Sequence, residues 1–262
     1  MKVRVKFRKY GPVRFIGHLD VMRFFQKLLR RAQIDVAYTG GFNPHQIMSF
    51  ASPLGVGLES NGEYMDIECH TVTSQADMIA RMNAASVAGI EVISVKILPD
   101  DAENAMASVA AARYTVFLRK LPDLCKLPDL CKLPDSDPEK QTLWELFSSR
   151  LPDFLAQEEI RIVKEGKKGP REVDIRPGIY EFEIDPAQEK ILLLLDASSA
   201  GNIKPVQVVS AFFSFCGMTL VENTLRIIRE ETYTNTGTAE EPVFLSLDEV
   251  GQPAGEDTGT PV

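Results

Sequence analysis

The chain has 262 residues, which allows one large domain or two small ones. With 44% apolar residues, 25% charged residues and 14 Phe it can bury an ordinary core, and no apolar run approaches the ~20 residues of a membrane-spanning helix. The net charge of −8 argues weakly against non-specific nucleic-acid binding, but it is unevenly spread: residues 1–50 carry ten Lys/Arg and two acids, residues 51–112 two Lys/Arg and nine acids, and residues 235–262 six acids and no base.

The start alternates apolar and basic residues and lacks the apolar stretch of a signal peptide. The cysteines, Cys69, Cys125, Cys131 and Cys216, are few and scattered, so reduced thiols and a cytoplasmic location are expected. Lys2–Arg8 is the first predicted strand, with Val3, Val5 and Phe7 on one face and Lys2, Arg4, Lys6 and Arg8 on the other. A helix follows over His18–Ala32, with Leu19, Met22, Phe25, Leu29 and Ala32 toward the core and Arg23, Lys27, Arg30 and Arg31 largely opposite. Asp35–Tyr38, a Gly/Asn/Pro loop, Ile47–Ala51 and Tyr64–His70 come next. Gln75–Ala85 reads as a helix and Ile90–Leu98 as a strand. This β-α-β-β-α-β order is that of a ferredoxin-like module.

The second half repeats the order. Tyr114–Leu118 is a strand and Thr142–Phe154 a helix. Ile160–Lys164 and Val173–Ile175 are strands flanking a basic Gly turn, Tyr180–Ile184 extends the sheet, and Lys190–Asp196, Pro205–Phe215 and Thr224–Arg229 complete strand, helix, strand. The expected class is α+β, two tandem ferredoxin-like modules with antiparallel sheets: module 1 over 1–112, a linker over 113–140, module 2 over 141–234, and a disordered acidic tail over 235–262. Within the linker Leu-Pro-Asp-Leu-Cys-Lys occurs at 121–126 and again at 127–132, and its prolines exclude regular structure. The Cys125–Cys131 spacing is too wide for a common zinc knuckle.

Three stretches could carry chemistry. The first joins Arg14-Phe15-Ile16-Gly17-His18-Leu19-Asp20 to Tyr38-Thr39-Gly40-Gly41-Phe42-Asn43-Pro44-His45. Arg14, Arg23 and Lys27 suit phosphates, Tyr38 and Phe42 suit base stacking, and Asn43-Pro44 fixes a turn before His45. Imidazoles titrate near neutrality, so His18 and His45 are also candidate acid and base for metal-independent RNA cleavage; the plainer reading gives them only local structural bonds. The second stretch, Lys164–Pro177, holds five cations, Lys164, Lys167, Lys168, Arg171 and Arg176, around a Gly-rich turn that could follow a phosphate backbone or merely be a solvated hairpin tip. The third places Glu63 and Asp66 on a turn and strand, as metal ligands or, more simply, on an exposed hairpin. No metal site is expected. The Walker loop, the dinucleotide fingerprint, HExxH, GxSxG and CxxxCxxC are all missing from the sequence.

Arg14–Arg23, Tyr38–His45, Ser49-Phe50-Ala51, Pro53-Leu54-Gly55-Val56-Gly57, Lys167–Pro177 and Gly201-Asn202-Ile203-Lys204-Pro205, in that order, resemble a bacterial radical-SAM-associated family catalogued as a domain of unknown function, over about residues 1–230. The resemblance implies a domain fused to, or encoded beside, a radical-SAM protein, in genomic settings concerned with ribosomes and RNA processing. It implies no cofactor on this chain; the iron–sulfur cluster and S-adenosylmethionine would belong to the partner. The expected function is an accessory domain that binds transfer or ribosomal RNA, or presents substrate, without catalysis of its own. The nucleic-acid contacts expected are Arg14, Arg23, Lys27, Tyr38, Phe42, Asn43, His45, Lys167, Lys168, Arg171 and Arg176. The alternatives are an endoribonuclease using His18 and His45, whose module order is similar to that of the CRISPR repeat-processing endoribonucleases, and a protein-binding adaptor without RNA.

Overall fold

The structure, a computed structural model, describes residues 1–119, 143–164, 169–221 and 223–255. In chain order the elements are β1 (Lys2–Lys9), a 3-10 turn (Gly11–Phe15), α1 (His18–Arg31), β2 (Met48–Phe50), β3 (Glu59–Glu68), α2 (Gln75–Ala84), β4 (Ile90–Ile97), α3 (Ala105–Ser108), β5 (Ala111–Leu118), α4 (Leu143–Leu155), β6 (Arg161–Lys164), β7 (Arg171–Asp174), β8 (Ile179–Asp185), β9 (Lys190–Asp196), α5 (Pro205–Phe215), β10 (Leu225–Asn235), β11 (Phe244–Ser246) and β12 (Gln252–Pro253). The class is mixed α+β. Contacts divide the chain into two compact units, Met1–Ala112 with Arg229–Val262, and Arg113–Ile228.

In the first unit the strands run β12-β4-β1-β3, with β2 and the latter part of β10 both on β3 and β11 on β10. β1 pairs antiparallel with both neighbours, Val5 opposite Met65 on β3 and Val95 on β4. The period-2 pattern of β1 puts Val3, Val5 and Phe7 under α1, whose Val21, Phe25, Leu28 and Leu29 are buried against them. Phe7 and Phe25 stack with centroids 4.5 Å apart, and Phe50 closes the aromatic group. In the second unit the order is β10-β5-β9-β8, while β6 and β7 form a hairpin of their own rather than joining that sheet. Phe147 and Phe154 of α4, Phe182 of β8 and Phe212 of α5 make its aromatic core.

Three expectations change, and one face of β1 is more buried than its alternation shows. Leu19 is 61% exposed instead of buried, because the first turn of α1 turns Val21 to the sheet. On the basic side of β1 Arg8 is exposed but Arg4 is 1% exposed, because the residues before α3 lie against it and supply the Glu103 carbonyl. Glu63 and Asp66 are buried in ion pairs, neither an exposed hairpin nor a metal pair. Among the described residues no group of three or more His, Cys, Asp or Glu could hold a metal ion. Finally, the segment 235–255, expected to be disordered, is folded: β11 pairs with β10, β12 with β4, and Leu247 is fully buried. Its apolar residues gather in the short run Val243-Phe244-Leu245-Ser246-Leu247, too brief to stand out from the polar residues around it. The Leu-Pro-Asp-Leu-Cys-Lys repeat, with Cys125 and Cys131, lies outside the described residues. Among the described residues no helix is long and apolar enough to cross a membrane.

Candidate functional site

Most cations of the first fifty residues are engaged inside the fold. Arg4 donates to both oxygens of Asp66, at 2.8 and 3.0 Å. Lys6 Nζ lies 2.6 Å from Glu231, Arg8 3.5 Å from Glu91, and Arg14 Nη1 3.2 Å from Glu59. The Arg14 guanidinium also covers the Phe15 ring at 4.8 Å. Lys2 Nζ holds the carbonyls of Asp100 and Ala102. Three of those four carboxylates come from residues 51–112, so the basic head and the acidic second stretch are largely complements of each other.

Lys9 deepens this pattern. It sits on the same face of β1 as Val3, Val5 and Phe7, beneath the loop before α1, and is 2% exposed. Its Nζ donates to the carbonyl oxygens of Ile16 (2.9 Å) and Arg14 (3.4 Å). Burial holds its pKa below the ordinary lysine value, Glu63 opposing that effect and Arg229 adding to it. Arg229 Nε donates to Glu63 Oε1 at 2.9 Å, its Nη2 reaches the same oxygen, and Nη2 also donates to Ser52 O at 2.8 Å. Lys9, Glu63, Ser52 and His18 line a cavity of about 10 Å³ together with Phe7, Phe50 and Leu54. That volume admits one water and no metabolite. The cluster fixes the loop that launches α1; it is not a substrate pocket.

His18 is half-buried, edge-on to Phe50 at 5.2 Å. His45 is exposed, with Nδ1 3.1 Å from Thr39 Oγ1 and its backbone N–H donating to the same oxygen. The cavity beside His18 draws no lining residue from the Thr39–His45 loop, so the two imidazoles are not assembled around it. Phe42 is fully exposed at the tip of that loop and Asn43 beside it; Tyr38, at the base, is about half exposed. On α1, Lys27 and Arg30 are exposed, as is Arg23, which has Asp20 at 3.7 Å; Arg31 donates to the Ala85 carbonyl.

In the second unit Arg171 is exposed on β7, whereas Arg176 donates to Leu155 O at 2.9 Å and so caps α4. Asp174 Oδ1 accepts from the backbone N–H groups of Ile160 and Arg176, which makes the Val173–Pro177 motif structural. Lys167 and Lys168 lie outside the described residues. An open groove of about 690 Å³ runs between β6 and α5, lined by Ile160, Ile162, Val206, Ala211 and Phe215 among others. Sequence reasoning missed Lys9, although a lysine in register with three apolar residues was a visible signal. It also missed Arg229, which nothing local marks, and Lys204, which it quoted only within the Gly201–Pro205 motif.

A model of an uncharacterized protein conserved in bacteria (DUF2344) matches residues 2–205, which include every motif quoted above. Comparison with curated proteins returns no match. Because that match spans well over half of the sequence, the chain belongs to the DUF2344 family.

Proposed function

We propose that the chain is a non-catalytic accessory domain that binds RNA, in the cytoplasm, for a radical-SAM partner which itself carries the iron–sulfur cluster and S-adenosylmethionine. The observation that carries the RNA reading is the exposed basic face of α1: Arg23, Lys27 and Arg30, at i, i+4 and i+7, stand in solvent, Arg23 with Asp20 3.7 Å away in an equally exposed pair. Seven residues of helix span about 10 Å, so the three cations form one short row on the helix surface. The exposed Phe42 and Tyr38 add faces on which unpaired bases can stack. The partner rests on the motif resemblance alone. We further read each unit as a ferredoxin-like module. The support is strand order, β4-β1-β3-β2 in one unit and β10-β5-β9-β8 in the other, each the order of a split β-α-β pair with β6–β7 inserted into the second.

A filter-binding titration of transfer and ribosomal RNA across salt tests the RNA reading. Affinity should fall with salt, and Arg23→Glu/Lys27→Glu/Arg30→Glu should weaken binding and lower the log–log slope by about 2–3. Binding that ignores salt, or a triple variant that binds normally, overturns it. Co-purification with the radical-SAM partner in the absence of RNA would instead favour the adaptor.

A further inference from the structure

We propose that the second unit carries a site for a phosphomonoester dianion, formed by Lys164, Arg171 and Lys204. It does not rest on the α1 reading, which concerns a different unit and a different charge pattern. The β6–β7 hairpin sorts its charges by face. Lys164 lies directly opposite Arg171, and Ile162 opposite Val173, on one side; Val163 opposite Glu172 and Arg161 opposite Asp174 occupy the other. The acids of the hairpin are thereby turned away from Lys164 and Arg171: Glu172 and Glu159 meet Arg161, and Asp174 is taken up by backbone N–H groups.

Two cations directly opposed on a strand pair are unfavourable unless something anionic joins them. The loop before α5 brings a third. Lys164 Nζ donates to the carbonyls of Gly201 (2.8 Å) and Asn202 (3.3 Å), which fixes the ammonium two residues from the exposed Lys204 and leaves it one proton to offer. Arg171 and Lys204 form no ion pair among the described residues. The loop is built to hold this position. Asp196 accepts from Ser198 N–H through its side chain and from Ile203 N–H through its backbone. Its carboxylate fills the space a Cβ on Gly201 would need, and Asn202 takes a positive φ of 44°. Tyr180 also lies near Asp196. Among the described residues, the charges acting on Lys164 are those of Arg171, Lys204 and Asp196, so three cations stand against one carboxylate with an excess of two positive charges. A phosphomonoester, at close to −2 near neutrality, matches that excess and offers three oxygens to three donors. A phosphodiester supplies half the charge.

The ligand could be a free phosphorylated molecule or the 5′-phosphate of an RNA, and the test separates them. Inorganic phosphate is titrated into the full chain at constant ionic strength while the amide resonances of Gly201, Asn202 and Arg171 are followed. Saturable shifts are expected, weakened about tenfold by Arg171→Gln and by Lys204→Gln, each of which removes one charge-assisted bond from a surface position. No saturable shift, or a double variant that responds like the parent, overturns the site. A 5′-phosphorylated RNA tetramer binding about tenfold tighter than its 5′-hydroxyl form, with the preference lost in the double variant, supports an RNA end. Phosphate binding without that preference supports a small phosphorylated ligand. The α1 triple variant should leave the phosphate response unchanged.

Discussion

Arg4 and Asp66 show what a buried pair demands of its neighbours. The guanidinium takes both carboxylate oxygens, and Asp66 Oδ2 also accepts the Ala105 N–H at the start of α3. Asp66→Asn would leave a buried cation without its counter-charge, and chemical denaturation should register a loss of about 3–5 kcal/mol. An Arg4→Met/Asp66→Leu double change should recover a large part of that, because removing both charges removes both desolvation penalties. Cys69, 2% exposed, accepts the Met1 ammonium at its carbonyl and gives a pH signature through its thiol. Burial pushes its thiol up from 9.0 to about 11. The folded state therefore holds the proton more tightly than the unfolded state, so this contribution is whole below pH 9 and is lost as pH rises toward 11. Against Cys69→Ala, the parent should lose about 2–3 kcal/mol more between pH 8.5 and 11. A parallel pair of stability curves would show that the thiol does not titrate. The alternation of β1 was readable residue by residue. The burial of its basic side was not, because Asp66 and Glu231 reach Arg4 and Lys6 only through strand pairing.

At the level of elements, α1 separates what a periodicity can and cannot say. Phe25, Leu29 and Ala32 belong both to the stripe Leu19–Met22–Phe25 and to the stripe Val21–Phe25–Leu28, so the existence and extent of the helix were legible. The choice between Leu19 and Val21 was not, since it depends on how the first turn meets β1 and Phe50. Phe25→Ala should cost about 3–5 kcal/mol and Leu19→Ala under about 0.5 kcal/mol in the same denaturation assay. Comparable losses would mean the stripe is misassigned. The β6–β7 hairpin teaches a related lesson. Its motif reads equally as a phosphate-following turn or a solvated hairpin tip, yet Asp174 and Arg176 hold Ile160 and the end of α4. Only the backbone register shows that Lys164 and Arg171 share a face. Asp174→Ala should lower the stability of the second unit by about 1–2 kcal/mol, read by its melting curve.

For the whole molecule, the charge distribution has two explanations that a truncation can separate. Residues 235–262 hold six acids and no base, and without them 29 cations face 31 acids. If the segment served only to make the chain acidic, ending it after Asn235 would leave stability unchanged. The structure assigns it packing work instead. Leu247 is fully buried, Ala254 joins the α1–sheet core, and Ala254 O accepts the Gln75 N–H that opens α2. Ser246 lies 3.3 Å from the Tyr64 hydroxyl, and β12 covers the outer edge of β4 opposite Ile97 and Lys96. Burying one leucine is worth about 2–3 kcal/mol, and the Gln75 N–H left without its acceptor and the uncovered strand edge add to the loss. Chain ending at Asn235 should therefore melt earlier by about 3–5 kcal/mol of stability and associate through the bared β4 edge, seen as light scattering at concentrations where the full chain stays dispersed. Leu247→Ala in the full chain isolates the packing share: about 2–3 kcal/mol lost, with no scattering, because β12 still covers the edge.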